Sequence, residues 1–338
     1  MAFDRKQIQV EAAELAARGL FIGTSSWKYV GWLGQLYTPG RYQKAKVASD
    51  THSEALLFPE LDGESASNQP TKFDDKRFEQ KCLSEYAEVF KTVSVDATYY
   101  DFPRKEYLES LADQVPDDFQ FGFKITEAVT IKRFPNVAKS GAKAGHQNPN
   151  FLSTDLFTTA FLKPCEAIRQ KVGVLMFEFS RFWSSEYRHS REFIRDLDDF
   201  LGKLPAGWPY AIELRNKDFL VPEYFDCLTR HNVTHLFNSW EAMPPVSEQM
   251  ALPGSTTNPE LTAARFLLKP GRKYQDAVKA FHPYDRIQEV NEDARKAGAT
   301  LINQGRKAEK KRKTFIFVNN RLEGNALETI AAMMKEQD

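Results

Sequence analysis

Two glutamates sit inside apolar runs, where a charge needs a reason: Glu178 in Val172 to Ser180 and Glu213 in Tyr210 to Asn216. A carboxylate in such a place acts as a general acid or base, shares a metal, or belongs to an ion pair, because an unpaired charge out of water is very costly. Groups of both signs stand in comparable runs: Lys124 in Phe119 to Thr126, Arg215 two residues past Glu213, and Asp96 in Thr92 to Tyr100. With Glu213 and Glu178 as catalytic acid and base, and Lys124 and Arg215 orienting the substrate, the set suits a hydrolase acting on an anionic or polar compound, a phosphoester or a sugar-containing molecule. The same groups also suit a non-catalytic barrel that holds a nucleotide, a nucleic-acid end or another anion. A third reading makes them a salt-bridge network that simply fills the interior.

The elements that must position these groups are eight short apolar runs, spaced at roughly forty residues and separated by stretches with helical periodicity. The runs are Leu20 to Trp27, Thr92 to Tyr100, Phe119 to Thr126, Val172 to Ser180, Tyr210 to Asn216, Thr234 to Trp240, Arg265 to Lys269 and Thr314 to Asn320. This pattern reads as α/β: a single (β/α)8 TIM-type barrel over residues 1–338, with an N-terminal helix in 1–19 and the barrel in 20–337. Two connections are too long for ordinary βα loops, at about 28–75 after the first strand and about 131–152 after the third, and both leave on the side where barrel sites form.

Side chains alternate along a strand, so each run sends one set to the helices and one to the barrel axis. Ile212 and Leu214 suit the helix layer, which turns Glu213 and Arg215 inward. The same reading directs Ser94, Asp96 and Thr98 inward, then Gly122 and Lys124, then Met176, Glu178 and Ser180. In the sixth run Asn238 and Trp240 share the inward face, and Asn319 or Asn320 ends the eighth. The expected site at the strand ends is thus Glu213 and Glu178 for chemistry, with Thr24, Trp27, Asp96, Thr98, Tyr99, Lys124, Arg215, Asn238 and Asn319 binding the ligand. Trp27, Tyr99 and Trp240 would form its apolar wall.

Composition narrows the classes. With 46 basic and 46 acidic residues the formal net charge is zero, which argues against the whole-surface attraction of a typical nucleic-acid binder and favours a small-molecule or anionic ligand at the mouth. The basic run Arg306 to Lys313 precedes the eighth strand, opposite the mouth, and reads as a solvated helix end. Lys132, Arg133, Lys139 and Lys143 leave the third strand on the mouth side, where they would attract an anion. Cys82, Cys165 and Cys227 match neither a CxxC metal site nor a disulfide framework. The histidines at 52, 146, 189, 231, 235 and 282 form no ligand set at a strand end, so no metal is expected there; His235 reads as a core histidine. No membrane span or signal core is visible, and a cytoplasmic protein is expected. The composition names no cofactor. GxSxG, GxxxxGK and GxGxxG are all absent.

Five segments, in order and at matching spacing, resemble the YecE-like family, also called the domain of unknown function 72 family. They are Gly23-Thr-Ser-Ser-Trp27 with Tyr29, Trp32, Gly34 and Tyr37; Phe90 to Tyr100 with Pro103; Phe119-Gln-Phe-Gly-Phe-Lys124; Ile212-Glu-Leu-Arg215; and Phe317-Val-Asn-Asn320. The resemblance implies a TIM-type barrel of uncharacterised biochemical function. It carries site positions onto Thr24, Trp27, Thr98, Tyr99, Lys124, Glu213, Arg215 and Asn319. Asp96, Ala97, Glu178 and Lys269 depart from the family pattern.

Overall fold

The eight runs form eight parallel strands in sequential order, closed by pairing of the first with the last. The computed structural model describes residues 3–44, 73–136, 141, 143–308 and 312–336. The middle of the first insertion with His52, and Lys139, Lys310 and Lys311, lie outside the described residues. The strands are β1 (Leu20–Thr24), β2 (Thr92–Val95), β3 (Gln120–Lys124), β4 (Val172–Phe179), β5 (Tyr210–Leu214), β6 (Thr234–Ser239), β7 (Leu261–Phe266) and β8 (Lys313–Val318).

Most helices fall where apolar periodicity and caps place them. α1 (Arg5–Ala17) starts at Asp4, whose carboxylate accepts from the backbone N–H groups of Lys6 and Gln7. It gives way to β1 at Gly19, whose φ of +84° suits a residue without a Cβ. α2 (Asp75–Val89), α3 (Lys105–Ala112), α7 (Ser190–Leu201), α8 (Pro222–Arg230), α10 (Tyr274–Phe281), α11 (Glu292–Lys307) and α12 (Ala326–Lys335) surround the barrel, with short α4 (Glu127–Thr130) and α9 (Val246–Ala251) in the β3 and β6 connections.

One helical stretch is broken. The stretch Thr154 to Gln170 divides into α5 (Thr154–Leu156), a π turn over Phe157–Leu162, α6 (Lys163–Cys165) and a 3-10 turn over Glu166–Lys171. Pro164 has no N–H to donate and crowds the preceding turn. Ser153 caps the start of α5, its Oγ accepting from Leu156 N.

The lower barrel is filled with apolar side chains. Phe21 stacks on Phe315 at 4.9 Å, Phe317 lies above, and Val174, Met176 and Leu236 complete the packing. Gly122 and Gly173 make room for these rings: a Cβ on Gly122 would sit 2.5 Å from Phe317, and one on Gly173 2.6 Å from Phe315. Outward-facing Phe119, Phe121, Phe123, Phe177 and Phe179 pack under the helices. His235 faces the same layer, edge-on to Tyr224, Phe225 and Phe237, and burial lowers its pKa to about 3, so it is neutral.

Candidate functional site

Above the apolar plug the interior turns ionic, because the last inward residues of β3, β4, β5 and β7 are charged, as is Asp96 just past β2. Glu178 of β4 and Glu213 of β5 stand side by side in register, both buried. Glu178 Oε2 is met by Lys124 Nζ at 2.5 Å, Arg215 Nη2 at 2.7 Å and Arg265 Nη1 at 3.5 Å. Arg215 Nε and Nη2 donate to Glu213 Oε1 at 3.2 and 3.0 Å, while Arg265 Nη1 donates to Glu213 Oε2 at 2.7 Å. Arg265 Nη2 reaches Asp96 Oδ1 at 3.0 Å, and Ser94 Oγ donates to the same oxygen at 3.2 Å. Three cations and three carboxylates thus form one connected network.

Arg265 is the member that the sequence reading missed. The apolar run that contains it begins at Arg265, whereas β7 spans Leu261–Phe266. Alternation over Leu261, Ala263 and Arg265 on one face and Thr262, Ala264 and Phe266 on the other is the signal that identifies it.

The network has a closed floor and a more open rim. Arg265, Glu178 and Glu213 are at most 2% exposed, whereas Lys124 and Arg215 are each 11% exposed and Asp96 is 36% exposed. Each rim cation also lies on an aromatic face: Lys124 Nζ is 3.6 Å from the centre of the Tyr99 ring, and Arg215 Cζ is 3.7 Å from that of Trp240. Burial by itself would raise the pKa of Glu178, but Arg215, Lys124 and Arg265 outweigh it and hold the carboxyl down at about 2. Arg265, buried among three carboxylates, is held more firmly protonated than an ordinary arginine.

Other expected site residues are used differently. β2 ends at Val95 and Asp96–Tyr99 turns into a 3-10 helix, so Thr98 hydrogen-bonds Val95 O and Lys124 O and ties β2 to β3. Thr24 bonds Tyr86 Oη and Ser26 O. Asn319 accepts from Arg321 N, and Asn320 accepts from Ala326 N, so both shape the β8–α12 turn. Asn238 donates to Leu214 O and exchanges hydrogen bonds with Gln249. The loop cations are engaged within their own loop or its neighbour: Lys132 lies 3.3 Å from the Tyr187 ring, Arg133 donates to Gly145 O, and Lys143 lies 5.4 Å from the Phe134 ring.

Among the described residues, Ser25 Oγ, Trp27 Nε1, Asn238 Oδ1 and Arg265 Nε are buried polar atoms at the strand ends with no partner. Each is a group that a polar ligand or water would satisfy. A cavity of 520 Å³ opens between the loops after β3 and β4 and is lined by Tyr99, the ring on which Lys124 lies. A larger one, of 720 Å³, lies at the opposite end, around Gly173, Trp208 and Lys313 at strand starts, away from the ion-pair network. The mouth is the better candidate, because the buried network of Lys124, Glu178, Glu213, Arg215 and Arg265 lies at that end of the barrel. A divalent ion has little place in the network, since cations already occupy both glutamates.

A family model described as "Protein of unknown function DUF72" matches residues 67–338. A DUF72 family protein from Enterococcus faecalis V583 is 18% identical, with a TM-score of 0.58 over 94% of this chain and 97% of that chain. One from Thermotoga maritima MSB8 is 18% identical, with a TM-score of 0.52 over 94% of this chain and 99% of that chain. At such identity the likeness shows the shared barrel fold. No curated protein matches the sequence.

Proposed function

The chain belongs to the DUF72 family, of unknown function, and from that premise we propose that its barrel mouth recognises a small anionic compound, a phosphoester or an acidic sugar derivative. The observation that carries this reading is the placement of Lys124 and Arg215. Each is held between a carboxylate below and an aromatic ring beside it, and each keeps an edge toward the opening. Such clamping fixes the donors before a ligand arrives, which lowers the ordering cost of binding. Lys124 has N–H groups to spare, and among the described residues Arg215 Nη1 has no acceptor. Tyr99 and Trp240 supply flat surfaces for the rest of the ligand.

Recognition is better supported than acid/base turnover. Glu178, ionised down to about pH 2, has no proton to give at neutral pH. Glu213, the other carboxylate expected to transfer a proton, is committed to Arg215 and Arg265. Calorimetric titration with sugar phosphates and nucleoside monophosphates tests the proposal. One compound should bind one-to-one, and Lys124→Met should weaken it at least tenfold, about 1.4 kcal/mol. Failure of every compound, or unchanged affinity in Lys124→Met, refutes it. A phosphate-release assay on the bound compound separates the two finer readings: a hydrolase loses turnover but keeps binding in Glu213→Gln, whereas a pure receptor shows no turnover in the wild type.

A further inference from the structure

Cys227 and His231 are four residues apart at the end of α8, and the backbone N–H of His231 still donates to Cys227 O, so the helical turn runs through both. That spacing puts their side chains on one helix face. Across from them on α7, Asp198 Oδ1 lies 2.7 Å from His231 Nε2 and 3.6 Å from Cys227 Sγ, and the three donor atoms fall within 4.8 Å of one another. Sequence reasoning passed over this trio because it sought ligands at strand ends, whereas these residues sit near helix ends on the opposite face of the barrel.

We propose that Asp198, Cys227 and His231 form a binding site for a zinc-class transition metal, joining α7 to α8. The donor set, one thiolate, one imidazole and one carboxylate, is that of a tetrahedral zinc site with a fourth position left to water. Metal–ligand lengths of about 2.0 Å to nitrogen or oxygen and about 2.3 Å to sulfur put tetrahedral donors roughly 3.3 to 3.6 Å apart. The sulfur–oxygen separation already has that value, and the histidine–aspartate pair needs to open by only about 0.6 Å. Binding releases the thiol proton to solvent and leaves His231 as the tautomer with its proton on Nδ1, freeing Nε2 for the metal.

Arg230 is the built-in competitor. Its Nη2 lies 2.8 Å from the same Asp198 oxygen, but its side chain is 59% exposed and free to swing into water. The arrangement therefore alternates between an arginine-capped state without metal and a metal-bound state. His231 and Arg230 also line the 720 Å³ cavity at the base of the barrel, which gives the site access to solvent.

Cobalt(II) titration of the full chain reads the site directly, because a thiolate ligand gives a near-ultraviolet charge-transfer band. One equivalent should produce that band, and zinc should abolish it by displacement. Cys227→Ser should remove it, whereas Cys82→Ser and Cys165→Ser should keep it. His231→Ala should weaken cobalt binding at least tenfold in a protein that melts near the wild-type temperature. Arg230→Gln should tighten binding severalfold, which a plain salt-bridge cluster would not do. Absence of a thiolate band in the wild type, its survival in Cys227→Ser, or unchanged affinity in His231→Ala overturns the proposal.

Discussion

Replacing Arg265 by methionine keeps its bulk and removes the guanidinium that binds all three carboxylates. Asp96 is 36% exposed and regains water. Glu178 loses its longest contact, 3.5 Å, and keeps Lys124 and Arg215. Glu213 is fully buried and loses its 2.7 Å partner, retaining only Arg215. Removing one partner of a buried pair costs about 3–5 kcal/mol, and the surviving Arg215 contact places this case near 3–4 kcal/mol. At roughly 2 °C per kcal/mol for a domain this large, the melting temperature should fall by about 6–8 °C. Circular-dichroism melts and urea unfolding with an unchanged m-value measure it. The double variant Arg265→Met/Glu213→Gln should recover at least ~1 kcal/mol relative to additivity, because the stranded charge is gone. A single variant melting within about 1 °C of wild type, or strict additivity, refutes the network account.

Acid should destabilise the protein in two steps. His235 has its folded pKa near 3, below its ordinary 6.5, so its contribution is complete above pH 6.5 and is lost as pH falls; urea unfolding should show about 2 kcal/mol lost between pH 7 and 5, a loss absent in His235→Leu. Glu178 is held near 2 against an ordinary 4.5, so its contribution, on the order of 3 kcal/mol, is lost from pH 4.5 toward pH 2, and Glu178→Gln should flatten that limb. Glu85 is buried and accepts from Thr38 N at 2.9 Å, Thr38 Oγ1 at 2.7 Å and Tyr42 Oη at 2.7 Å, so Glu85→Ala should cost about 3 kcal/mol in chemical unfolding, and under ~1 kcal/mol would contradict its role in tying the first insertion to α2. Gly122→Val should cost about 1–3 kcal/mol, because the new side chain meets the Phe317 ring.

The barrel was legible because βα repetition and alternation depend on local sequence. Glu213, Arg215, Lys124, Glu178 and Asp96 were all placed inward correctly, each inside an apolar run or at its end. Strand endings were harder to read. Thr98 lies in sequence one alternation past Asp96, yet the chain has already turned into a 3-10 helix there, which no periodicity announces. Arg265 was hidden because a long cationic side chain at the head of a short run reads as a boundary, when its burial depends on three carboxylates supplied by other strands. The metal-ligating trio needed the packing of α7 on α8, which sequence does not reveal.

Native mass spectrometry of the freshly purified chain tests the central claim, recognition of an anionic compound at the mouth, most directly. The account predicts a one-to-one adduct with the mass of a phosphorylated or acidic sugar-containing compound, greatly reduced in Lys124→Met. A wild-type chain that stays at its bare mass after incubation with millimolar sugar phosphates and nucleoside monophosphates, or an adduct retained in full by Lys124→Met, would contradict it.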